Sequence, residues 1–419
     1  MNDVVVVGAG LAGLSCALEL ARHGVCVCVL ERADAPGGRV RTDEAEGFLL
    51  DRGFQVLPTA YPEARHAFDY EALGLRPFYP GALVRREGRV TRFADPFRHP
   101  LDGARSLKDG PGTLLDKVRV ARLRSQLTGH SVSELLDGPQ VTTAQALRRE
   151  GFSAAMIDGF WRPYLGGIFL DPSLETSSRL FAFVFKMFAE GEAALPARGM
   201  QALPAQLATR LPEGALRLGS TVEAVDGGGV TLAGGERLEA AAVVVAADGP
   251  EAARLTGAFQ APAGRATTCV YYAAGRSPVG EPVLVLNGDR DGPVNTLCVP
   301  SDVAPSYAPP GAALISASVL GIPSLDDDAL DDAVRGQLRG WFGAQVGTWR
   351  RLAVHRIPFA LPVQTPATLP SARRPVRLRE GLFVCGDHRD TGSLQGALQS
   401  GRRAAAAVRG LDAPPSCPL

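Results

Sequence analysis

The amino-terminal pattern of apolar residues predicts a strand, a tight turn and a helix in direct succession. Val4–Val7 is a β-branched run, and the glycine-rich stretch Gly8–Gly13 follows it. A second apolar run, Val25–Leu30, predicts another strand and ends at Glu31. Short apolar runs bounded by turn residues are typical of buried strands. Between the two runs, apolar residues recur at helical spacing, at Leu14, Leu18 and Ala21.

Similar patterns recur in the interior and near the carboxyl terminus. Thr221–Val225 and Val230–Leu232 flank a glycine turn and predict a small β-meander, and Ala242–Ala246 then predicts a buried strand. Gly381–Cys385 predicts another buried strand. An alanine-rich helix is expected over Ser393–Val408.

Apolar residues between Leu180 and Phe188 recur at helical spacing and leave two interpretations open. A core helix would bury them, and a hydrophobic tunnel would be lined by them. The aromatic stretch Phe160–Tyr164 and an expected glycine loop at Gly166 and Gly167 lie close by in sequence. The pattern alone fits both a core and a tunnel wall.

The composition excludes several classes of protein. The chain has 419 residues, 46% hydrophobic and 21% charged, which is typical of a soluble globular protein of two or three domains. The 44 basic residues equal the 44 acidic ones, so the excess positive charge of a nucleic-acid binder is missing. The sequence shows neither a signal-type amino terminus nor an apolar run long enough for a membrane span. We therefore predict a cytoplasmic protein, with peripheral contact to a membrane left open.

The seven cysteines include no Cys-x-x-Cys pair, and no histidine spacing suits zinc. We expect neither a metal site nor a disulfide framework. Cys26 and Cys28 are predicted to share one face of the second strand as small buried residues. Lysine occurs only at Lys108, Lys117 and Lys186, which restricts where an amine side chain can take part in chemistry.

The glycine-rich turn has the spacing of a dinucleotide-binding site. Gly8 permits the turn, Gly10 lets a pyrophosphate approach the backbone, and Gly13 allows close packing of helix on strand. The helix amino terminus offers unpaired N–H groups and partial positive charge to phosphates. Glu31 can accept hydrogen bonds from ribose hydroxyls. Because strand, turn, helix and acid follow in the required order, we favour this site over a chance glycine turn.

Gly37-Gly38-Arg39 follows six residues after Glu31 and allows two interpretations when taken alone. It can bring two backbone N–H groups and a guanidinium to a phosphate region, or it can be a surface turn with a solvated arginine. The glycine turn upstream favours the first interpretation.

From Val4 to Thr42 the sequence resembles the amino terminus of the FAD-dependent amine oxidoreductases, a superfamily that includes protoporphyrinogen oxidases and phytoene and carotenoid desaturases. The second fingerprint of that superfamily matches Gly386-Asp387 and the helix that follows. No cysteine occupies the position of covalent flavin attachment, so the resemblance implies noncovalent FAD. It also implies the residues that bind FAD: Gly8, Ala9, Gly10, Leu11, Ala12, Gly13, Glu31, Arg32, Gly37, Gly38, Arg39, Gly53, Val222, Gly386, Asp387, Leu394, Gln395 and Ala397.

The resemblance implies an α/β fold in two interleaved parts. Residues 1–60, 196–259 and 366–412 would form a discontinuous Rossmann-like FAD-binding domain. Residues 61–195 and 260–365 would form an α+β substrate domain, with a mixed sheet flanked by helices. Residues 413–419 would be a tail.

The resemblance also points to residues near the flavin ring without assigning a catalytic residue. Asp51–Gln55 matches the place where the family chain passes the isoalloxazine, and Gly53 would permit close approach. Pro196–Met200 resembles a flavin-proximal segment of the desaturases, although Arg198 replaces a glycine. Arg198 and His388, the latter as a proton shuttle, are the catalytic candidates.

Three functions are considered. The first is an FAD-dependent dehydrogenase that oxidises a hydrophobic small molecule, such as an isoprenoid or carotenoid, by hydride transfer to flavin N5. It is favoured because no lysine follows Lys186, whereas the amine-oxidising branch typically has one in its substrate sheet. The second is an oxygen-dependent amine or protoporphyrinogen oxidase. The third is a protein with a structural or redox-neutral, isomerising flavin. The electron acceptor would be oxygen or a quinone, and the oligomeric state stays open.

Overall fold

A computed structural model describes residues 2–369 and 371–410. The predicted tail at 413–419, with Cys417, lies outside these residues. The strands are β1 (Asn2–Val7), β2 (Val27–Leu30), β3 (Thr42–Ala45), β4 (Phe48–Asp51), β5 (Leu57–Pro58), β6 (Arg76–Pro77), β7 (Gly81–Arg86), β8 (Arg89–Ala94), β9 (Ala193–Leu195), β10 (Leu216–Arg217), β11 (Val222–Val225), β12 (Gly229–Leu232), β13 (Arg237–Val245), β14 (Gly264–Ala274), β15 (Leu284–Asn287), β16 (Val294–Cys298), β17 (Ala313–Leu320), β18 (Arg350–Pro362), β19 (Arg377–Arg379) and β20 (Leu382–Val384).

The α-helices alternate with these strands and cluster in the segment between β8 and β9. They are α1 (Leu11–Arg22), α2 (Pro62–Ala67), α3 (Tyr70–Leu73), α4 (Pro100–Asp109), α5 (Leu114–Thr128), α6 (Val132–Asp137), α7 (Thr143–Arg149), α8 (Ala154–Met156), α9 (Arg162–Phe169), α10 (Ser178–Glu190), α11 (Ala202–Ala208), α12 (Gly249–Thr256), α13 (Pro300–Val303), α14 (Asp327–Phe342) and α15 (Leu394–Val408).

The first sheet has the strand order β10-β2-β1-β13-β12-β11, with β20 beside β13 and β19 beside β20. Strands β10, β2, β1, β13 and β20 are parallel to their neighbours in this order. Val4–Val7 is buried throughout, as expected for a strand covered on both faces. Helices α1 and α15 pack closely: a Cβ at Gly401 would lie 2.2 Å from the Ala12 carbonyl oxygen.

The second sheet has the order β18-β14-β17-β16-β15-β7-β8. Its pairs are antiparallel except β15 with β7, so the sheet is mixed. Helix α14 packs against this sheet along its length. Its residues Leu330, Val334 and Leu338 lie in one buried cluster with Val270 and Tyr272 of β14. No helix in the described ranges is long and apolar enough to cross a membrane.

The fold class expected from the sequence, a Rossmann-like α/β part with an interleaved mixed-sheet part, is confirmed. The first sheet takes its strands from residues 2–30, 216–245 and 377–384, which fall within the three predicted segments. The exact domain boundaries stay a prediction.

Two local expectations are wrong. Gly166 and Gly167 do not form a loop, because they lie inside α9. A π-helical turn, Ile157–Trp161, precedes that helix. Cys26 is exposed and precedes β2, whereas Cys28 is buried within it, so the two thiols do not share a buried strand face.

Candidate functional site

The three glycines of the first turn differ in their surroundings. Gly8 has a φ of +106°, which L-residues rarely adopt. A Cβ at Gly13 would lie 2.0 Å from the Gly8 carbonyl oxygen, so only glycine lets α1 approach the turn. At Gly10 the nearest atom to such a Cβ is 4.0 Å away, and no side chain caps the helix there. The Gly10 side of the turn is therefore open, with the α1 amino terminus facing it.

Glu31 is held next to this turn by backbone groups. Its Oε2 accepts a hydrogen bond from Ala9 N (2.8 Å), and its Oε1 accepts one from Ala33 N (2.9 Å). The side chain is buried, whereas the adjacent Arg32 is exposed. Ser220 N donates to the Glu31 carbonyl oxygen (2.8 Å), which brings the start of β11, with Val222, beside the acid. Glu31 and the segment before Val222 thus border one end of the site.

Arg39 joins the two ends of the chain. Its Nη1 donates to Asp387 Oδ2 (2.8 Å) and its Nη2 donates to Asp387 Oδ1 (2.6 Å). Nη1 also donates to the carbonyl oxygen of Ala360 on β18 (2.8 Å). Gly37 N is already bonded to the Ala9 carbonyl oxygen, so it does not supply the free N–H that the sequence suggested. The Gly-Gly-Arg turn therefore lies against the glycine turn and fixes Asp387.

The amino terminus of α15 follows Gly386-Asp387 through a short buried loop. Ser393 caps the helix by accepting a hydrogen bond from Gly396 N (3.1 Å), and Gly386 N donates to Ser400 Oγ (2.9 Å). Ala397 N bonds to the Ser393 carbonyl oxygen within the helix, and the Gln395 side chain accepts from Glu63 N. Leu394, the first helical residue, is half-buried. Gln395 therefore ties α15 to α2 through its side chain.

The segment after β4 connects these elements to a cavity. Gly53 has a φ of +84°, and a Cβ there would lie 3.2 Å from Ile357 Cδ1. Gln55 Nε2 donates to the carbonyl oxygen of Arg39 (2.9 Å), and Phe54 lines the cavity. The segment from Gly53 to Gln55 thus lies between the contacts of Arg39 and the cavity.

A buried carboxylate fixes the start of that segment. Asp51 accepts hydrogen bonds from Thr42 Oγ1 (2.6 Å), Met200 N (2.9 Å) and Tyr307 Oη (2.9 Å). Tyr271 Oη donates to the Asp51 carbonyl oxygen (2.7 Å). Burial raises the pKa of Asp51 to about 6, although its hydrogen bonds act in the opposite direction.

The cavity has a volume of about 260 Å³ and lies between the second sheet, α4, α5 and α10. Its charged lining includes Arg98 and Arg124, and both are paired with Asp95, which also lines the cavity. Ten aromatic residues contribute to the wall, namely Phe54, Phe78, Tyr79, Phe93, Phe97, Phe160, Trp161, Tyr164, Phe185 and Phe188.

Helix α10 contributes both to the core and to the cavity. Leu180, Phe181 and Met187 are buried in the main core cluster. Phe185 and Phe188 line the large cavity. Val184 lines that cavity and also a smaller one of about 20 Å³, whose wall includes Thr391, Gly392 and Ser393 at the start of α15. The helical pattern therefore supplies both core residues and residues of the cavity wall.

The catalytic candidates lie in different surroundings. Arg198 is exposed. His388 is buried, stacks on Phe259, and has no hydrogen-bond partner at either ring nitrogen. Burial lowers its pKa to about 4. The role of His388 in proton transfer stays a prediction.

Lys186, the last lysine of the chain, is buried on α10. Its Nζ bonds to Glu190 Oε1 (2.5 Å) and to the Thr128 carbonyl oxygen (3.2 Å). Strands β14 to β18 of the second sheet contain no lysine. In the described ranges, no three His, Cys, Asp or Glu side chains are placed to hold a metal ion.

Sequence reasoning missed the two tyrosines that donate hydrogen bonds to Asp51. Tyr271 and Tyr307 lie more than two hundred positions from Asp51, and nothing in the local pattern pairs them. The aromatic content near Phe160 was a usable signal for the cavity. No comparable pattern in the sequence indicated that α4 and α5 contribute to the cavity wall.

The sequence profile of the flavin-containing amine oxidoreductases matches residues 11–409. The chain belongs to this family. Its cofactor is FAD, and it is an FAD-dependent oxidoreductase. The open side of Gly10, the uncapped α1 terminus and the fixed Glu31 fit a dinucleotide with a pyrophosphate and a ribose.

Individual relatives are similar over part of their length. The chain is 38% identical over 101 residues to a lycopene-forming phytoene desaturase of Pantoea ananas, covering 22% of this chain and 20% of that protein. It is 25% identical over 164 residues to protoporphyrinogen oxidase 2 of Arabidopsis thaliana, covering 39% and 32%. These matches thus span a third or less of the relatives.

The fold matches over nearly the whole chain. Wild-type putrescine oxidase bound to putrescine superposes with a TM-score of 0.70 and 18% identity, and the match covers 98% of this chain and 99% of that one. At this identity the likeness concerns the fold alone.

Proposed function

We propose that this family member dehydrogenates an apolar small molecule of isoprenoid or carotenoid type. The observation that supports it is the aromatic cavity of about 260 Å³, which Phe54 connects to the Gly53 segment. A pocket with an apolar wall excludes water and binds an extended hydrocarbon without specific polar contacts. When bound, FAD supplies the acceptor for the two electrons and the hydrogen that leave the substrate.

The chain's own groups would position the reactants. Gly8–Gly13, Glu31 and Arg39 would hold the nucleotide part of FAD, while the first turn of α15 would favour negative charge near its pyrimidine edge. Asp51 and its three donors hold the Gly53 segment, so the boundary between cavity and cofactor site is fixed. The wall formed by Phe185 and Phe188 would orient the substrate.

The missing lysine supports this proposal over amine oxidation. The second sheet contains no lysine in β14 to β18, and the buried Lys186 is bonded to Glu190 and Thr128. The partial match to a phytoene desaturase points in the same direction.

The test is anaerobic mixing of the FAD-loaded protein with polyenes and, separately, with polyamines. We expect polyenes to bleach the flavin absorbance. Ala121→Trp places bulk in the cavity and should slow bleaching at least about tenfold with unchanged flavin content. Arg122→Trp, one residue along on the exposed side of α5, is the matched control and should bleach at the normal rate. Bleaching by polyamines but not by polyenes would contradict the proposal.

Oxidation of a porphyrinogen with oxygen is the second candidate. The similarity to protoporphyrinogen oxidase 2 extends over 164 residues, which is longer than the 101-residue match to the desaturase. Its assay is hydrogen peroxide release with porphyrinogen in aerated buffer. A quinone that reoxidises the reduced protein faster than oxygen does would instead assign the acceptor to the quinone class.

A further inference from the structure

One tyrosine hydroxyl in the wall of the large cavity has no partner among the described residues. All seven tyrosines of the chain are described, and six of them have a partner in the protein. A hydrogen bond links Tyr61 to Ser393. Five others donate to protein oxygens, namely Tyr70, Tyr79, Tyr271, Tyr272 and Tyr307. Tyr164 is the exception, although it lines the cavity.

Tyr164 is surrounded by protein and still keeps accessible surface. Burial raises the pKa of its phenol well above the usual value, so the hydroxyl lies inside the molecule. The residue is nevertheless only half-buried, and its accessible surface therefore faces the cavity. Trp161 Nε1, three positions earlier, also lacks a partner in the described part of the chain, but that atom has practically no accessible surface. A molecule in the cavity can thus reach the Tyr164 hydroxyl and not the indole nitrogen.

Neighbouring residues hold the Tyr164 ring in place. It stacks on Phe160, with ring centroids 5.4 Å apart and planes 13° from parallel, and Phe188 packs against it at 6.4 Å. Asn295 Nδ2 donates to the carbonyl oxygen of Pro163 (3.0 Å), which fastens this turn of α9 to β16. A hydroxyl on a fixed ring loses little freedom when it binds a ligand.

Other polar side chains of the wall already have partners. Tyr79 Oη donates to Asp102 Oδ2 (2.8 Å), and Ser106 Oγ donates to the carbonyl oxygen of Asp102 (2.8 Å). The two arginines of the wall are paired with Asp95. These groups gain little from a ligand, whereas the Tyr164 hydroxyl gains a hydrogen bond.

The chemistry of this donor indicates what it binds. Burial is the one cause that shifts the Tyr164 pKa, so the group is a neutral phenol without a charged neighbour that affects it. A phenol hydroxyl pairs with a hydroxyl, carbonyl or ether oxygen. A carboxylate would instead need an unpaired cation when it leaves water. A pure hydrocarbon would fill the cavity and leave the Tyr164 hydroxyl without water or a partner, at a cost in affinity.

We propose that the substrate is an apolar molecule of isoprenoid type that carries a neutral oxygen, and that the Tyr164 hydroxyl binds this oxygen. The inference rests on the proposed function and narrows its substrate class. The aromatic wall selects the apolar chain, whereas Tyr164 discriminates between a chain with the oxygen and one without it. Tyr164 is therefore a specificity-determining residue.

The experiment compares the binding of geranylgeraniol with that of the hydrocarbon that has the same carbon chain and no oxygen. The FAD-loaded protein is first reduced anaerobically with dithionite, because a reduced flavin accepts no hydride and binding is then measured without turnover. Calorimetric titration at one fixed detergent concentration gives both affinities. We expect Tyr164→Phe to bind the alcohol about tenfold more weakly than the parent protein does, and to bind the hydrocarbon within about twofold of the parent.

The matched control is Tyr70→Phe. It removes a hydroxyl that is bonded to the Thr59 carbonyl oxygen and lies outside the cavity, so both probes should bind as they do to the parent. In Tyr164→Phe, unchanged affinity for the hydrocarbon shows that the cavity is intact. Unchanged affinity of this variant for the alcohol, an equal loss for both probes, or no binding of the alcohol to the parent would overturn the proposal.

The proposed function has a separate readout. Bleaching of the oxidised parent protein by polyenes reports dehydrogenation whatever the outcome at Tyr164. Bleaching by polyenes together with unchanged alcohol affinity in Tyr164→Phe would therefore overturn the oxygen contact alone.

Discussion

At the scale of single residues, Arg39 and Asp51 determine how the site is held. Arg39 contacts a carboxylate near the other end of the chain and a carbonyl oxygen of the second sheet. Asp51 is buried with three donors on its carboxylate. The sequence indicated Arg39 through its glycine pair and Asp387 through its own motif. It could not indicate that they bond to each other, because a side-chain pair across 348 positions depends on the tertiary fold.

Replacement of Arg39 tests its positioning role. Arg39→Lys keeps the charge but loses the two-pronged contact with Asp387, so we expect about tenfold weaker FAD binding (~1.5 kcal/mol). Titration of the apoprotein with FAD measures the affinity. Arg350→Lys alters a comparable but exposed pair with Glu46 and should bind FAD normally. Full affinity in Arg39→Lys would show that the Asp387 contact is dispensable.

The pKa of Asp51 predicts a pH dependence of stability. A carboxyl pKa raised from 3.8 to about 6 in the folded state means that its stabilising contribution is present below about pH 4 and is lost as the pH rises through about 6. Asp51→Asn cannot ionise. Its free energy of unfolding, relative to the parent protein, should therefore rise by about 2 kcal/mol from pH 4 to pH 7.

Urea unfolding at both pH values measures this change. Asp43→Asn is the control with the opposite sign, because the hydrogen bonds from Arg52 lower the pKa of Asp43. A difference for Asp51→Asn that does not vary with pH would mean that the buried group does not titrate in this range.

At the scale of elements, the main strands and helices of the cofactor part were predictable, whereas in the substrate part the pattern indicated helix α10 but not the strand order of the sheet. Helix α1, strand β13 and helix α15 follow from β-branched runs and from glycines whose positions have a local physical cause. In the region from α4 to α9, helices α4, α5 and α9 contribute to the cavity wall whereas α6 and α7 do not, and periodicity gives no distinction between wall and core. The glycines at 166 and 167 lie in α9 because packing there, against Pro172 and Thr296, overrides their low helix propensity.

The glycine turn allows binding and folding to be separated. Gly13→Ala would place a Cβ 2.0 Å from the Gly8 carbonyl oxygen, and we expect the apoprotein to lose about 1–3 kcal/mol of stability. Gly10→Ala meets nothing within 4 Å except the Gly37 carbonyl oxygen at that distance, so apoprotein stability should stay unchanged while FAD affinity falls. Chemical unfolding of the apoprotein and FAD titration measure the two effects. Normal FAD affinity in Gly10→Ala would contradict passage of the pyrophosphate over Gly10.

At the scale of the whole molecule, the two sheets are built from interleaved segments rather than from consecutive ones. The chain leaves the first sheet after β2, forms part of the second sheet, returns for β10 to β13, and repeats the excursion before β20. The strands of each sheet are therefore connected through segments that belong to the other sheet. Arg39, which contacts both Asp387 and β18, adds a direct link.

This interleaving predicts one cooperative unfolding transition. Trp341 and Trp349 lie in or beside the second sheet's cluster, so their fluorescence reports on that part, while flavin fluorescence reports on the first. The two signals should change together, and FAD at about a hundredfold excess over its dissociation constant should stabilise both by about 2.7 kcal/mol. Separate transitions would show that the two parts unfold independently.

The contact of Arg39 with Asp387 also has a consequence for biosynthesis. Strand β1 leaves the ribosome long before its parallel neighbour β13 is translated, and Asp387 is translated later still. During that interval the nascent first strand, apolar on both faces, has no neighbour on the β13 side. The Arg39–Asp387 pair cannot form before residue 387 has been translated, so we expect coexpressed chaperones and added FAD to raise the active yield in a heterologous host.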